Sequence, residues 1–236
     1  MPEPEVLLSY ILRELAHEKD MKGLKVCVTA GPTRETIDPV RFISNRSTGK
    51  MGFALAKNAM ERGADVTLVS GPVELKDVPF VKMVHVESAR QMFEAVTKEA
   101  ETADIIVKAA AVADYRPAVV ADEKIKKKDG DMSIALERTD DIIGTLGKTK
   151  RDNLFLCGFS MEREHMLENS KAKLEKKNLD MIIANNVKVK GAGFGTDTNV
   201  VTLITKDEIK ELPIMSKEDV ADEIFNNILA NRKGIV

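Results

Sequence analysis

Short apolar runs alternate with helical patterns along most of this chain, and this alternation constrains the fold more than any other feature. The apolar runs lie at 25–30, 66–70, 81–86, 104–111, 154–160, 181–185 and 200–205. Helical patterns lie between them at 50–62, 88–102, 140–150 and 163–178, and a last one follows at 217–231. Continuous runs of Val, Ile and Leu that are separated by helices are typical of parallel strands covered on both faces. The sequence therefore predicts a three-layer α/β fold around a central, mostly parallel sheet.

Two segments depart from this alternation. Residues 5–18 place Leu8, Ile11, Leu12 and Leu15 at helical spacing, and the polar stretch that follows ends at a glycine. We therefore interpret 1–22 as a linker or an N-terminal helix, and 23–236 as one domain. The stretch 117–130 is polar, rich in lysine and without periodicity. A loop of that length within a compact domain is usually a lid or an arm.

The composition excludes several classes of function. The chain has 36 basic and 38 acidic residues, so no global charge attracts nucleic acid or a membrane surface. It has no Trp and two Tyr, which argues against a base-stacking surface, and no apolar run approaches the ~18 residues of a membrane span. The N-terminus is acidic and unlike a signal peptide. Both cysteines, Cys27 and Cys157, lie in apolar runs and are expected to be buried thiols, so we expect a cytoplasmic protein.

The loop between the first apolar run and the helix at 50–62 is a candidate phosphate site. Ser47, Thr48 and Gly49 directly precede that helix. The N-terminus of a helix offers free backbone N–H groups and the positive end of the helix dipole, and both attract phosphate. The alternative is a plain tight turn in which Ser47 or Thr48 caps the helix.

Standard nucleotide-binding signatures do not fit this loop. A Walker A loop requires Ser or Thr after its Gly-Lys pair, whereas Met51 follows Lys50, and Ser44 occupies the place of the first glycine. Only Gly49 and Gly52 match the spacing of a dinucleotide fingerprint, and no acidic residue ends the run at 66–70. Nicotinamide binding is therefore disfavoured.

The end of the fourth apolar run is a second candidate. Three alanines, Ala109 to Ala111, are followed closely by Asp114. Ligands of open parallel sheets bind beyond the carboxyl ends of the strands, where small residues allow close approach and Asp114 could meet a ribose hydroxyl, a base or a metal ion. The alternative is that the alanines pack under a helix and that Asp114 caps a turn. The lysine run at 124–128 is either solvated surface or a lid that closes over phosphate.

The remaining polar positions allow an ordinary interpretation. Thr139, Asp140, Asp141 and Ile142 begin a helix, as a cap followed by acidic residues commonly does. Lys173 and Lys177 are four apart on a charged helix, and the three histidines share no spacing. Since no nucleophile–base pair or metal-ligand cluster is evident, an enzyme with this sequence would act by positioning and charge stabilisation.

Taken in order, these motifs resemble the phosphopantothenoylcysteine synthetase domain of coenzyme A biosynthesis. The similarity covers residues 23–232 and rests on the segments 29–35, 38–45, 49–53, 110–116, 124–127, 158–159, 177–180 and 193–194. It implies a Rossmann-like fold and a ligase reaction. A nucleoside triphosphate activates the carboxylate of 4′-phosphopantothenate as an acyl-nucleotidyl intermediate, pyrophosphate leaves, and the amine of L-cysteine then forms an amide.

The resemblance is to the bacterial branch, which uses CTP with Mg²⁺. In that branch the domain usually follows a flavin-dependent decarboxylase, so this part of the chain is expected to hold no flavin. The resemblance implies one part of such a bifunctional protein, although a separate synthetase is an alternative. It also implies a homodimer with a pocket shared between protomers, in which Arg41 and Asn45 could act across the interface. Neither nucleic acid nor a membrane is an expected partner.

The resemblance also assigns roles to positions. Asn45 matches the asparagine that handles the acyl-cytidylate, Lys124 matches a catalytic lid lysine, and Arg41, Ala110 and Ala111 match substrate-binding positions. Nucleotide-contacting positions are matched by Ser47, Thr48, Gly49, Lys108, Ala109, Ala110, Asp114, Lys124, Thr139, Asp140, Asp141, Ile142, Phe159, Lys173 and Lys177. Thr139 and Asp140 depart from the Asn and Pro of the family pattern. The metal ligands are not identified, and Asp114 is the one candidate.

Two other functions remain open at this point. One is an NAD(P)-dependent reductase on a similar sheet, and the other is a nucleotide-binding module without catalysis. The reductase would bind a reduced nicotinamide cofactor, whereas the module would bind CTP and release no pyrophosphate.

Overall fold

A central eight-stranded sheet organises the computed structural model, which describes residues 3–127, 131–161, 165–185, 193 and 195–232. The helices are α1 (Pro4–Leu15), α2 (Lys50–Glu61), α3 (Ala89–Ala100), α4 (Ile142–Lys148), α5 (Met166–Lys176) and α6 (Lys217–Asn231). The strands are β1 (Lys25–Ala30), β2 (Arg34–Thr36), β3 (Phe42–Ser44), β4 (Asp65–Ser70), β5 (Lys82–His85), β6 (Ile105–Lys108), β7 (Tyr115–Pro117), β8 (Leu136–Arg138), β9 (Phe155–Met161), β10 (Met181–Asn185), β11 (Thr198–Asn199), β12 (Val201–Thr205), β13 (Ile209–Glu211) and β14 (Met215–Ser216).

The strand order is β13-β12-β10-β9-β6-β1-β4-β5. The strands from β5 to β10 in this order are all parallel, and they follow the succession of a Rossmann-type sheet. Strands β12 and β13 extend the sheet in antiparallel orientation. The predicted α/β class, with a mostly parallel sheet, is therefore confirmed.

Helices cover both faces of the sheet, as the continuous apolar runs predict. On one face, α2 and α6 bury residues such as Leu55 and Phe225 against the strands. On the other face, α3, α4 and α5 bury residues such as Met92, Ile143 and Leu174. Both cysteines are buried as expected, and burial raises the pKa of the Cys27 thiol to about 12.

The structure differs from the sequence prediction at three places. Strand β6 ends at Lys108, three residues before the predicted end, because the N–H groups of Ala110 and Ala111 bond to the Thr29 hydroxyl and the Gly31 carbonyl instead of a strand partner. The run at 200–205 is antiparallel, a direction that a strand buried along its whole length does not encode. Strand β13 and the short pairs β2–β3, β7–β8 and β11–β14 were not predicted, since two or three residues carry no periodicity.

The close approach of α2 to β1 depends on two glycines. Gly49 precedes the helix with a φ of 79°, in the left-handed region that favours glycine. A Cβ atom at Gly52 would lie 2.5 Å from Cβ of Ala30 and 2.8 Å from the carbonyl oxygen of Thr29. The helix can therefore start directly over the carboxyl end of β1.

The segment predicted as a lid or arm is the connection of a small β-ribbon. Strands β7 and β8 pair in antiparallel orientation, and the described residues between them, 118–127 and 131–135, form no helix or strand. The predicted positions Lys128 and Phe194 and the start of the helix expected at 163 lie outside the described residues.

The N-terminal helix forms as the periodicity predicts, but none of its residues is buried. Its Tyr10 ring packs edge-on against Phe80, with ring centroids 4.7 Å apart. In the part of the chain that the structure describes, no helix combines the length and apolarity needed to cross a membrane.

Candidate functional site

The candidate site lies where the strand order reverses. The chain leaves β1 toward β4 and β5 on one side of the sheet, and it returns to β6 on the other side. The carboxyl ends of β1 and β6 therefore flank a crevice, which is the usual ligand position in open α/β sheets. A cavity opens there, called the edge cavity below. Its described lining is Asn45, Ser47, Thr48, Gly49, Lys50, Met51, Gly52, Lys108, Ala109, Ala110, Ala111, Val112, Asp114, Phe159, Ser160, Met161, Asn185, Gly193, Asn199 and Lys217.

The lining of the edge cavity is cationic. Its described charged residues are Lys50, Lys108, Lys217 and a single carboxylate, Asp114. Burial, together with the neighbouring Lys177 ammonium, lowers the pKa of Lys108. Three ammonium groups beside the N-terminus of a helix suit a polyanionic ligand.

Asn45 lies beside the carboxyl end of β6 of its own chain. Its Nδ2 atom donates a hydrogen bond to the carbonyl oxygen of Ala111 at 2.9 Å. The preceding Ser44 hydroxyl donates to the Thr33 carbonyl at 2.8 Å, which fastens this segment to the exit of β1. Two hydrogen bonds therefore hold the segment Ser44–Asn45, one to the residues after β1 and one to the alanines after β6.

The start of α2 forms one end of the edge cavity. Gly49 occupies the N-cap position, so the helix has no capping side chain at that residue. The Ser47 hydroxyl accepts a bond from the Gly49 N–H at 3.4 Å, which shapes the loop rather than the first turn of the helix. The interpretation of Ser47 as a conventional helix cap is therefore wrong.

A second cavity, called the outer cavity, continues beyond Lys108, Val112 and Asp114. It is lined further by Tyr115, Arg138, Thr139, Asp140, Asp141, Ile142 and Lys177. The Thr139 hydroxyl donates to the Ala113 carbonyl at 2.6 Å, so the loop before α4 is tied to the strand edge. Ile142 is part of the hydrophobic core, and its side chain points away from solvent.

Asp141 and Lys177 form an ion pair in the outer cavity. The Lys177 Nζ atom lies 2.9 Å from Oδ2 of Asp141, and the Gly144 N–H donates to Oδ1 at 3.1 Å. Burial alone would raise the pKa of Asp141, but these hydrogen bonds hold it below its usual value. Asp141 is thus the N-cap of α4, so the interpretation of Thr139 as the cap is wrong, and Asp141 stays ionised at neutral pH.

Three predicted site residues line neither cavity. Arg41 donates through Nε to Oδ2 of Asp38 at 3.0 Å and through its terminal NH2 group to the Ile125 carbonyl at 3.1 Å. Lys124 is exposed on the connection between β7 and β8, and Lys173 is exposed on α5. Their exposure does not contradict the predicted roles. A lysine side chain is long enough to reach a ligand from the rim of a cavity.

Asp38 joins Arg41 to the lysine-rich connection. Its side chain is buried, and Oδ2 accepts both the Arg41 guanidinium and the backbone N–H of Ile125, the latter at 3.1 Å. The Arg41 guanidinium beside Asp38 holds the pKa of that carboxyl well below its usual range. The residue that follows Lys124 in the chain is therefore anchored to the segment that carries Asn45.

Sequence reasoning missed several residues of the edge cavity, including Lys217, Asn185 and Asn199. Asn199 donates through Nδ2 to Oδ1 of Asn185 at 2.9 Å, and both asparagines line the edge cavity. Lys217 is the first residue of α6, and no motif in the sequence connects it with the loop at 40–52. Among the described residues, no group of three or more His, Cys, Asp or Glu is arranged to hold a metal ion.

This geometry defines an α/β protein of the Rossmann type with a cationic ligand cavity at its strand-order reversal. The chain belongs to the family described as the DNA/pantothenate metabolism flavoprotein C-terminal domain, whose model matches residues 21–231.

Relatives of known sequence and structure agree with this family. The coenzyme A biosynthesis bifunctional protein CoaBC of Bacillus subtilis (strain 168) is 49% identical over 238 residues, which cover 99% of this chain and 58% of that protein. The crystal structure of the C-terminal domain of a CoaBC protein is 44% identical, covers 88% of this chain and 95% of its own, and superposes with a TM-score of 0.76. A mutant of Cab2 in complex with phosphopantothenate-cysteine shares the fold at 16% identity, with a TM-score of 0.71 over 98% of this chain and 95% of that chain.

Proposed function

We propose that this chain is the phosphopantothenoylcysteine synthetase part of a coenzyme A biosynthesis protein. In this proposal it joins 4′-phosphopantothenate to L-cysteine and converts CTP to CMP and pyrophosphate through an acyl-cytidylate. The observation that carries the proposal is the Asn45 amide at 2.9 Å from the Ala111 carbonyl, inside a cavity with three lysines and one carboxylate. The 49% identity to B. subtilis CoaBC supports the reaction class, although the chain spans 58% of that protein's length.

The triphosphate would lie along the edge cavity. Its phosphates suit the loop Ser47–Thr48–Gly49 and the start of α2, where backbone N–H groups and the helix dipole attract negative charge. The cytidine end suits the side of Lys108 and Asp114, where the edge cavity continues into the outer cavity. In this orientation the α-phosphate lies between the two ends, beside the alanine edge.

The residues near that edge would perform the chemistry by positioning and charge. An asparagine amide does not act as a base at neutral pH, but Asn45 can hydrogen-bond the acyl carbonyl and orient it for the cysteine amine. Lys124 would bring a positive charge to the crowded anion of carboxylate and α-phosphate. The acyl phosphate is already activated, so the amine needs little additional help. Arg41, Ala110 and Ala111 are proposed for the pantothenate substrate, and Phe159, Lys173, Thr139, Asp140, Asp141, Ile142 and Lys177 for the nucleotide.

Magnesium fits this site if it is bound mainly by the nucleotide phosphates and not by a full set of protein ligands. Mg²⁺ in phosphoryl-transfer sites is commonly held by one or two carboxylates together with substrate phosphates and water. Asp114 is exposed and is the one carboxylate among the described lining residues of the edge cavity. Asp114 is therefore the proposed protein ligand, and the ion would neutralise charge on the triphosphate.

A homodimer with a shared pocket is proposed on the basis of exposed apolar residues near Asn45. Val40 is 59% exposed and Phe42 is 48% exposed on the β2–β3 hairpin, and Val119 is 81% exposed on the β7–β8 connection. The Ala121 N–H donates to the Ile37 carbonyl at 3.0 Å, so the connection runs beside the hairpin, and exposed apolar residues on adjacent segments are typical of a contact surface. Residues 1–22 are proposed as the linker to a flavin-dependent decarboxylase, and the chain itself is proposed to hold no flavin.

One assay tests this reaction against the two alternatives. The protein is incubated with CTP, Mg²⁺, 4′-phosphopantothenate and L-cysteine, and pyrophosphate and CMP are measured with each substrate omitted in turn. The synthetase is expected to release pyrophosphate only when 4′-phosphopantothenate is present, and to release CMP when cysteine is added. Absence of pyrophosphate with all substrates present contradicts the reaction. CTP binding without turnover would then support a nucleotide-binding module, and binding of reduced nicotinamide cofactor would support a reductase.

A further inference from the structure

Lys217 is a buried lysine that the structure surrounds with carbonyl oxygens. The residue is 4% exposed, and its Nζ atom donates to the carbonyl oxygen of Gly193 at 3.1 Å and to that of Thr196. None of the ion pairs among the described residues includes Lys217. The positive charge of Lys217 is therefore stabilised by the dipoles of these carbonyl groups and not by an ion pair with a carboxylate.

The position of Lys217 is unfavourable for a cation. It is the first residue of α6, where the positive end of the helix dipole repels an ammonium group. Burial, together with the Lys50 ammonium nearby, lowers the pKa of Lys217. A lysine that is fully buried without a paired acid is rare in proteins, because desolvation of the charge is costly. Such a residue is typically retained for a function rather than for stability.

The ammonium group retains one donor for a ligand. A protonated lysine has three N–H donors, and the two carbonyls of Gly193 and Thr196 occupy two of them in the described part of the chain. Lys217 also lines the edge cavity. A third donor in a cationic cavity is well placed to bind an anion.

The neighbouring cavities show which end of the edge cavity Lys217 occupies. A side cavity along α2 shares Lys50 and Lys217 with the edge cavity, whereas the outer cavity shares Lys108, Val112 and Asp114 with it. Lys50 and Lys217 thus lie at the α2 end, away from Asp114. Lys50 is paired with the exposed Asp197 at 2.6 Å, so it is neutralised in a way that Lys217 is not.

We propose that Lys217 binds the β- and γ-phosphates of the nucleoside triphosphate and stabilises the pyrophosphate that leaves. This role rests on the proposed function, and it adds to that function a residue outside the positions that the resemblance supplies. Lys217, which forms no ion pair among the described residues, would then gain a charged partner in direct contact when a triphosphate is bound. A nucleoside monophosphate does not reach the α2 end and gains nothing from Lys217.

The test is the preference for CTP over CMP. Dissociation constants for both nucleotides, in the presence of Mg²⁺, are measured by calorimetry for the wild-type chain and for Lys217→Met, Lys217→Arg and the control Lys210→Met. Lys210 pairs with Glu223 of α6 at 2.7 Å, so its variant removes a lysine that contacts the same helix outside the edge cavity. Lys217→Met is expected to weaken CTP binding by about 10- to 100-fold, as for the loss of a charged hydrogen bond, and to leave CMP binding unchanged.

The other variants separate a binding role from a structural one. Lys217→Arg keeps the charge and is expected to retain most of the CTP preference, and Lys210→Met is expected to retain all of it. Equal weakening of CTP and CMP by Lys217→Met would mean that the lysine only holds the chain around Gly193 and Thr196, and the proposal would be overturned. A wild-type chain without any preference for CTP overturns it as well. A chain that prefers CTP in a Lys217-dependent manner but releases no pyrophosphate would refute the synthetase reaction and the role in pyrophosphate release, and would leave Lys217 as a residue that binds the triphosphate.

Discussion

Replacement of Asn45 by aspartate is expected to stall the second half-reaction while the fold remains intact. The Nδ2 donor of Asn45 lies 2.9 Å from the Ala111 carbonyl oxygen. In Asn45→Asp, two acceptor oxygens face each other at this position, and the new negative charge lies beside the acyl phosphate. The amine of cysteine would then meet an acyl group that is no longer held in the reactive orientation.

The effect on the reaction should exceed the effect on stability. An amide–carbonyl hydrogen bond contributes about 0.5–1.5 kcal/mol to stability, and Asn45 is exposed, which places its contribution at the low end. Removal of a donor that polarises an acyl group typically lowers the rate by about 10²- to 10³-fold, or ~2.7–4 kcal/mol. The free energy of activation of the second step should therefore change by roughly 2 kcal/mol more than the free energy of unfolding.

Rapid quench experiments with labelled CTP distinguish the two half-reactions. Asn45→Asp is expected to release about one pyrophosphate per active site in a burst, because the acyl-cytidylate would form once and then stay bound. CMP should follow slowly, and the acyl-cytidylate should be recoverable from the quenched protein by chromatography.

A matched control is Asn231→Asp. Asn231 is also exposed, and its Nδ2 atom donates to the Asn227 carbonyl at 2.9 Å at the end of α6, far from the lining of the edge cavity. This variant should turn over like the wild type. Full turnover by Asn45→Asp would remove Asn45 from the mechanism, and loss of the pyrophosphate burst would move its role to the first half-reaction.

Three further variants test the arm and the fold. Lys124→Gln should lower the rate of pyrophosphate release by more than tenfold, on the scale of one lost charge interaction, and leave the thermal midpoint unchanged because Lys124 is exposed; a large drop in the midpoint would contradict this. Asp38→Asn should speed tryptic cleavage after Lys124, since it breaks the anchor of the arm, whereas Asp122→Asn on the same exposed stretch should not. Because the pKa of Asp38 is lowered, the stabilisation from its ion pair is fully present above the unfolded-state pKa and is lost only as pH falls through the lower folded-state value. The cleavage rate of the wild type, divided by that of an unstructured peptide substrate at the same pH, should therefore be equal at pH 5 and pH 7. Gly52→Ala should destabilise the chain by about 1–3 kcal/mol in urea unfolding, whereas Gly195→Ala, with no atom within 4 Å of the added Cβ, should be nearly neutral.

The sequence predicts the main elements well because their burial is continuous. Strand β1 and strand β10 have the bounds that the apolar runs indicate, and α6 has the bounds of its helical pattern. The direction of β12 is not encoded in the pattern, since a strand that is buried along its whole length shows the same lack of alternation in either orientation. Short ribbons such as β7–β8 depend on tertiary contacts rather than on periodicity.

The site was predictable to the extent that it follows from topology. The rule that ligands lie beyond the carboxyl ends of parallel strands predicts that the loop before α2 meets the alanines after β6, and Asn45 does contact Ala111. The pairing of Arg41 with Asp38 follows from no spacing rule, although the two residues are three apart. Lys217 is distant in sequence from the loop at 40–52, so only the folded chain reveals that it shares a cavity with Lys50.

The long connection between β1 and α2 shows how an exposed amide is held in place for the role proposed for Asn45. In a tight dinucleotide-binding turn the backbone alone approaches the phosphates, whereas here the chain forms the β2–β3 hairpin before it reaches Gly49. The hairpin is fastened to the neighbouring strand edge, since the Ala113 N–H donates to the Thr33 hydroxyl at 3.0 Å and Asn45 donates to Ala111. A side chain that is held in this way loses little additional freedom when a ligand binds, and such preorganisation is the contribution that the proposed mechanism requires of Asn45. The same hydrogen bonds join the two edges of the crevice, so a change that loosens the hairpin should impair acyl transfer even when Asn45 itself is intact.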